Sequence, residues 1–200
     1  MPGTASNIIS LKQQIPSSVR IVAVSKTKSV DKILEVYNTG HKIFGENRVQ
    51  ELLAKKDQLP HDIEWHFIGH LQSNKVKYII PFISMIESVD SFRLLKIING
   101  EALKSGRITD CLLQFYIASE ETKSGFSIDE VREMIRSEEF KLLQNVKICG
   151  VMGMATFTGN EAQIRNEFKQ LHNYFSELKS SYFAGQPAFS GNQPPGKGCS

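Results

Sequence analysis

Cysteine is scarce. Only Cys111, Cys149 and Cys199 occur in the 200 residues. Their odd number and wide spacing, with no CxxC pair, argue against a disulfide framework and against a zinc site. Such usage fits a cytoplasmic protein in a reducing compartment. Cys111 and Cys149 sit in apolar segments and read as small core residues. Long apolar runs are missing as well. None approaches the ~20 residues of a membrane-spanning helix, so no membrane partner is expected. No N-terminal stretch joins a basic start, an apolar middle and a small-residue cleavage site. Charge of one sign is also lacking: 24 Lys and Arg against 21 Asp and Glu leave +3. A protein built to grip phosphate backbones shows a larger, clustered basic excess, so no nucleic-acid partner is expected. What is present is ordinary globular usage, 40% apolar, at a length suited to one domain.

The chain alternates short β-branched runs with stretches at helical spacing. Ile21–Val24, Lys42–Phe44, Glu64–Ile68, Met85–Val89, Cys111–Ala118 and Val146–Met154 read as strands, bounded by Gly, Pro, Asn or Asp. Between them, Val30, Ile33, Leu34 and Tyr37 keep the i, i+3, i+4, i+7 rule, with Ser29 as N-cap and Gly40 as stop. Ser127 and Glu130 form an S-x-x-E capping box. Ile164, Phe168, Leu171, Phe175 and Leu178 give the longest stripe, and Ile8, Leu11 and Ile15 suggest a helix before the first strand. One helix followed by six βα units means an α/β fold with a parallel sheet and helical crossovers. A doubly wound open sheet and a (β/α)8 TIM-type barrel compete. No G-x-G-x-x-G follows the first strand, and polar residues gather at the ends of several strands, where a barrel keeps its chemistry. The barrel is favoured, with six of its eight strands counted. From Ala184 to Ser200, seven of 17 residues are Gly or Pro, which reads as a disordered tail. The expected domain is therefore an incomplete barrel over residues 1–183.

Several residues could carry chemistry. Lys26 follows Ile-Val-Ala-Val-Ser at the end of the first strand. It is either a solvated strand-end lysine or an amine made nucleophilic by local desolvation. Lys28 is its nearest decoy. Phe44-Gly45-Glu46-Asn47 ends the second strand: a turn and helix cap, with Glu46 as a first-turn carboxylate, or a close-approach site where Asn47 both donates and accepts. His66, within Trp65-His66-Phe67-Ile68-Gly69, is a core histidine or an inward-facing ligand. His66 and His70 straddle a strand end and make no zinc pair. Ser119 to Gly125 reads as a solvated loop, and Gly150 and Gly153 mark tight packing or a close ligand.

Taken in order, Ala23-Val24-Ser25-Lys26-Thr27-Lys28, Phe44-Gly45-Glu46-Asn47, Trp65-His66-Phe67-Ile68-Gly69 with Leu71-Gln72-Ser73-Asn74-Lys75, and Lys123-Ser124-Gly125 resemble the YggS/PROSC family of pyridoxal-phosphate homeostasis proteins. The resemblance runs from about Ile21 to Phe183. It implies a fold like the N-terminal barrel of alanine racemase and pyridoxal 5'-phosphate held as a Schiff base. Lys26 matches the Schiff-base lysine, with Asn47, His66 and Met154 expected around the cofactor. It implies storage, buffering and delivery of the reactive aldehyde rather than catalysis, with apo pyridoxal-phosphate enzymes as partners and a monomeric chain. A racemase-like enzyme, a cofactor-free Schiff-base barrel and a plain interaction protein are the rival readings. The family continues with a seventh strand carrying S-[ML]-G-M-S and an eighth ending in R-[IV]-G-x-x-[IL]-F-G. Neither motif occurs here. The expectation is a truncated relative with open sheet edges, a foreign tail and weak cofactor retention.

Overall fold

The computed structural model describes residues 3–118 and 124–189. The loop motif from Ser119 to Lys123 lies outside them, as do Cys199 and the tail from Ser190 onward. The chain begins with α1 (Thr4–Gln14), β1 (Ala23–Val24), α2 (Val30–Tyr37), β2 (Ile43–Glu46), α3 (Val49–Lys56) and β3 (Glu64–Phe67). A 3-10 turn at Ser73–Lys75 leads into α4 (Val76–Ile79), then β4 (Met85–Val89), α5 (Phe92–Lys104) and β5 (Thr109–Tyr116). The remainder is α6 (Ile128–Arg136), α7 (Glu138–Lys141), β6 (Val146–Met154) and α8 (Glu161–Ser181).

Local chemistry fixes the helix ends. The Ser29 hydroxyl accepts from the Lys32 N–H to open α2, and Gly40 takes φ 81° just past its end, a backbone that suits glycine. Ser127 and Glu130 form the full reciprocal capping box of α6. Asn160 caps α8 through the Gln163 N–H. The amphipathic helices then bury their apolar stripes. Leu94, Leu95, Ile98 and Ala102 are buried on α5, as are Ile33 and Val36 on α2. Each of the leucine, isoleucine and valine side chains contributes about 1.5–3 kcal/mol by leaving water.

All six strands are parallel, and their order in the sheet is β1-β2-β3-β4-β5-β6. That order separates the two architectures. A doubly wound sheet reverses direction at a switch point, whereas a barrel adds each strand beside the last. The sequential order is the barrel's. Among the described residues, β1 pairs only with β2 and β6 only with β5.

The reading of residues 184–200 as a disordered tail needs correction up to Phe189. Phe189 is fully buried. Its ring stacks on Phe183 at 4.4 Å and on Phe175 of α8 at 5.2 Å. Backbone turns support it, with Gln186 N–H donating to the Phe183 carbonyl and Phe189 N–H to that of Gln186. Glycine and proline here shape turns around one aromatic anchor. Gly153 is a packing glycine: a Cβ there would meet Ile117 Cδ1 at 2.8 Å and Leu171 at 3.1 Å. Cys111 and Cys149 are buried core residues. Burial raises both thiols, Cys149 to about 12.

Candidate functional site

Three of the four expected site residues lie on or just after the neighbouring strands β1, β2 and β3. The register sets Val24 beside Gly45 and Gly45 beside His66. Lys26 follows the end of β1 by two residues, Asn47 directly follows β2, and His66 lies within β3. Gly45 leaves the space between Val24 and His66 without a side chain. A Cβ there would already press on Val22 Cγ1 and Ile68 Cδ1 at 3.0 Å.

Lys26 sits on an unusual turn. The Lys28 N–H donates to the Ser25 carbonyl at 3.0 Å, closing a four-residue turn with Lys26 second and Thr27 third. Thr27 has φ 63°. The third place of such a turn normally goes to glycine or asparagine, and a β-branched residue is strained there. Lys26 and Lys28 are both exposed. The desolvation expected around Lys26 is therefore not supplied by the described residues, and position distinguishes the two lysines, not burial.

Beneath the turn lies a buried polar cluster. The Lys55 ammonium donates to the Ser25 carbonyl at 2.9 Å, to Glu46 Oε1 at 2.8 Å and to Glu51 Oε1 at 2.6 Å. The Ser25 hydroxyl donates to Glu46 Oε1 at 2.7 Å, and the Thr27 N–H to Glu51 Oε1 at 2.6 Å. The hydrogen bonds from Lys55 and Thr27 hold the Glu51 carboxyl below its ordinary range. Glu46 is the last residue of β2 and fully buried. It is not the first-turn helical carboxylate that sequence position suggested, because α3 starts only at Val49.

Asn47 is fixed from the other side. A Cβ on Gly69 would lie 2.4 Å from the Asn47 carbonyl oxygen and 2.7 Å from its Cα. Only glycine lets the segment after β3 press on Asn47 this closely. The Asn47 side-chain oxygen is buried with no hydrogen-bond partner among the described residues, a state that invites a donor from a bound molecule. A cavity of about 270 Å³ beside it is lined by Asn47, Arg48, Phe67, His70, Gln72 and Lys75. The Phe-Gly-Glu-Asn and Leu-Gln-Ser-Asn-Lys motifs therefore meet in space.

His66 is buried, and its Nδ1 lies 2.5 Å from Glu87 Oε1 on β4. A carboxylate only accepts, so the ring's Nδ1–H donates to it and Nε2 is left for another partner. Met154 stands apart. It ends β6, the strand at the far end of the sheet order, and is 61% exposed. Among the described residues nothing joins it to the other three. Glu51, Lys55 and Glu87 escaped the sequence reading. The only signal for the first two is the i, i+4 pairing of Glu51 with Lys55, which commonly marks a solvated helix face.

A sequentially ordered parallel sheet is the topology of a barrel, and the chain belongs to the family of the alanine racemase N-terminal domain. The family model "Alanine racemase, N-terminal domain" matches residues 4–192, reaching past Phe189. The chain is similar to the pyridoxal phosphate homeostasis protein of Aquifex aeolicus, 38% identical over 173 residues that make 86% of this chain and 75% of that one. It is also similar to PipY of Synechococcus elongatus PCC7942, solved with PLP bound. That structure is 34% identical with a TM-score of 0.79, over 88% of this chain and 82% of the other. Alanine racemase from E. faecalis, 13% identical with a TM-score of 0.68 over 85% of this chain and 47% of that one, shares the fold. Among the described residues, no helix is long and apolar enough to cross a membrane.

Proposed function

We propose that this chain binds pyridoxal 5'-phosphate through Lys26 and serves intracellular cofactor homeostasis by storage, buffering and delivery, without robust turnover. The observation that carries the reading is the set of groups at three successive strands: an amine on a constrained turn after β1, an unpartnered buried amide oxygen on Asn47 just after β2 and a carboxylate-oriented imidazole on His66 in β3. The naming of relatives as homeostasis proteins, and the relative solved with PLP bound, support the same reading.

These residues fit the cofactor. The cofactor brings a reactive aldehyde, which a lysine amine captures reversibly as a Schiff base with loss of one water. Lys26 supplies the amine. Asn47 offers an amide oxygen that lacks a donor. His66, held by Glu87, presents Nε2 in one tautomer. Met154 belongs to the proposed site only where the two ends of the sheet approach each other. Delivery to apo pyridoxal-phosphate enzymes by a monomer is part of the proposal.

The test is visible absorbance of the purified chain with added pyridoxal phosphate, followed by borohydride reduction and peptide mapping. A yellow band and a reduced adduct on Lys26, lost in Lys26→Ala, are expected. An adduct spread evenly over surface lysines overturns the reading. Amino-acid racemisation that disappears in Lys26→Ala would replace the homeostasis role with an enzymatic one.

A further inference from the structure

The cluster of Ser25, Glu46, Glu51 and Lys55 lies under the turn that carries Lys26. A buried ion pair is a weak source of stability, because desolving the charges offsets most of their attraction. Glu46 is 0% exposed and Lys55 7% exposed. Apolar residues would pack these positions at less cost. The geometry explains what the charges do instead. All three protons of the Lys55 ammonium have acceptors. One of these acceptors is the Ser25 carbonyl, which also receives the Lys28 N–H. Glu51 Oε1 accepts from Lys55 and from the N–H of Thr27, the residue at φ 63°. The cluster thus grips the turn at Ser25 and Thr27, the residues on either side of Lys26. Strained backbone persists only where its surroundings hold it, and the strained residue adjoins the proposed cofactor lysine.

We propose that Glu51 and Lys55 are positioning residues: they clamp the Ser25–Lys28 turn in its left-handed form and so select Lys26, rather than the likewise exposed Lys28, as the amine presented to the cofactor. The inference rests on the proposed role of Lys26. It assigns work to α3, a helix whose charged face otherwise looks like solvated surface. Glu46 completes the clamp by holding both Lys55 and the Ser25 hydroxyl.

The test compares two lysines in one chain. The protein is exposed briefly to pyridoxal phosphate and reduced with borohydride, and adducts on Lys26 and Lys28 are counted by mass. Wild type is expected to favour Lys26. Glu51→Ala removes a charge-assisted acceptor and lowers the Lys26-to-Lys28 ratio by about tenfold. Glu51→Gln keeps an oxygen for the Thr27 N–H and retains most of the preference. Adding Thr27→Gly to Glu51→Ala removes the strain that Glu51 opposes and restores much of the ratio. A merely stabilising Glu51 would give no such rescue. Acetic anhydride, which acylates accessible amines without recognising a cofactor site, labels both lysines in every variant with a ratio that Glu51→Ala does not shift. Hydrogen exchange of the Thr27 amide in the unliganded wild type supplies a readout independent of variants and cofactor, and protection is expected. Free exchange at Thr27, or a Lys26 preference unchanged in Glu51→Ala, overturns the clamp and leaves the cofactor reading standing. No Lys26 preference in wild type, with Thr27 protected, overturns the cofactor reading and the selection built on it.

Discussion

Phe189→Ala separates two pictures of the C-terminal segment. If residues beyond Phe183 were an unstructured tail, the substitution would be silent. In the fold it removes a fully buried ring stacked on Phe183 and Phe175 at 4.4 and 5.2 Å. Truncating a buried phenylalanine costs about 3–5 kcal/mol once the residual cavity is included. Part of that is the two ring contacts, at roughly 0.5–1.5 kcal/mol each beyond burial. At about 2–4 °C per kcal/mol for a domain of this size, the melting temperature should fall by roughly 6–20 °C. Urea unfolding followed by circular dichroism measures the loss directly. Phe189→Leu, which keeps most of the volume, should lose less than half as much. A change within about 0.5 kcal/mol, the range of an ordinary surface substitution, would refute the packing of Phe189 and return the segment to a tail.

Other expectations follow from the site. Gly69→Ala drives a Cβ into the Asn47 backbone. It should cost about 1–3 kcal/mol in urea unfolding and weaken Lys26 trapping at the same time; a normal trapping yield would separate Asn47 from the site. Glu51 is held below its ordinary value by Lys55 and the Thr27 N–H. Its contribution to stability is therefore complete above the unfolded carboxylate range and is lost as pH falls through the depressed folded value. Glu51→Gln should flatten that acid limb in a series of melting temperatures against pH, and an unchanged limb would contradict the assignment. Burial raises the Cys111 and Cys149 thiols. In a Cys199→Ser background neither should react with a thiol reagent at neutral pH until urea unfolds the chain. Rapid labelling of the folded protein would show that the core opens.

Much of the fold is legible in the sequence, because its strands are short, β-branched and punctuated. Met85–Val89 and Val146–Met154 are read at their observed bounds, and the Ser127–Glu130 box is read with its mechanism. The choice between barrel and open sheet depends on which strands adjoin. The missing dinucleotide fingerprint pointed to the barrel, and the sheet order settles it. The proposed site residues are those where chemistry falls at or near strand ends, at Lys26, Asn47 and His66. The site is not legible where long-range packing reverses the usual meaning of a residue. Lys55 lies on a helix with charged neighbours and has the pattern of a solvated lysine, yet it is buried under a turn 30 residues away. Glu46 looks like a helix-start carboxylate and is a strand-end core residue. Phe189, flanked by Gly and Pro, has no periodic partner to announce its burial. Only the turn that brings it back onto α8 creates its pocket.

The most direct measurement is the map of borohydride-trapped pyridoxal phosphate on the folded 200-residue chain. Trapping draws even a weak complex to completion. The account predicts one dominant adduct, on Lys26, with Lys28 a minor site and the preference erased by urea. Dominant labelling of Lys28, or equal labelling of both before and after unfolding, would contradict it.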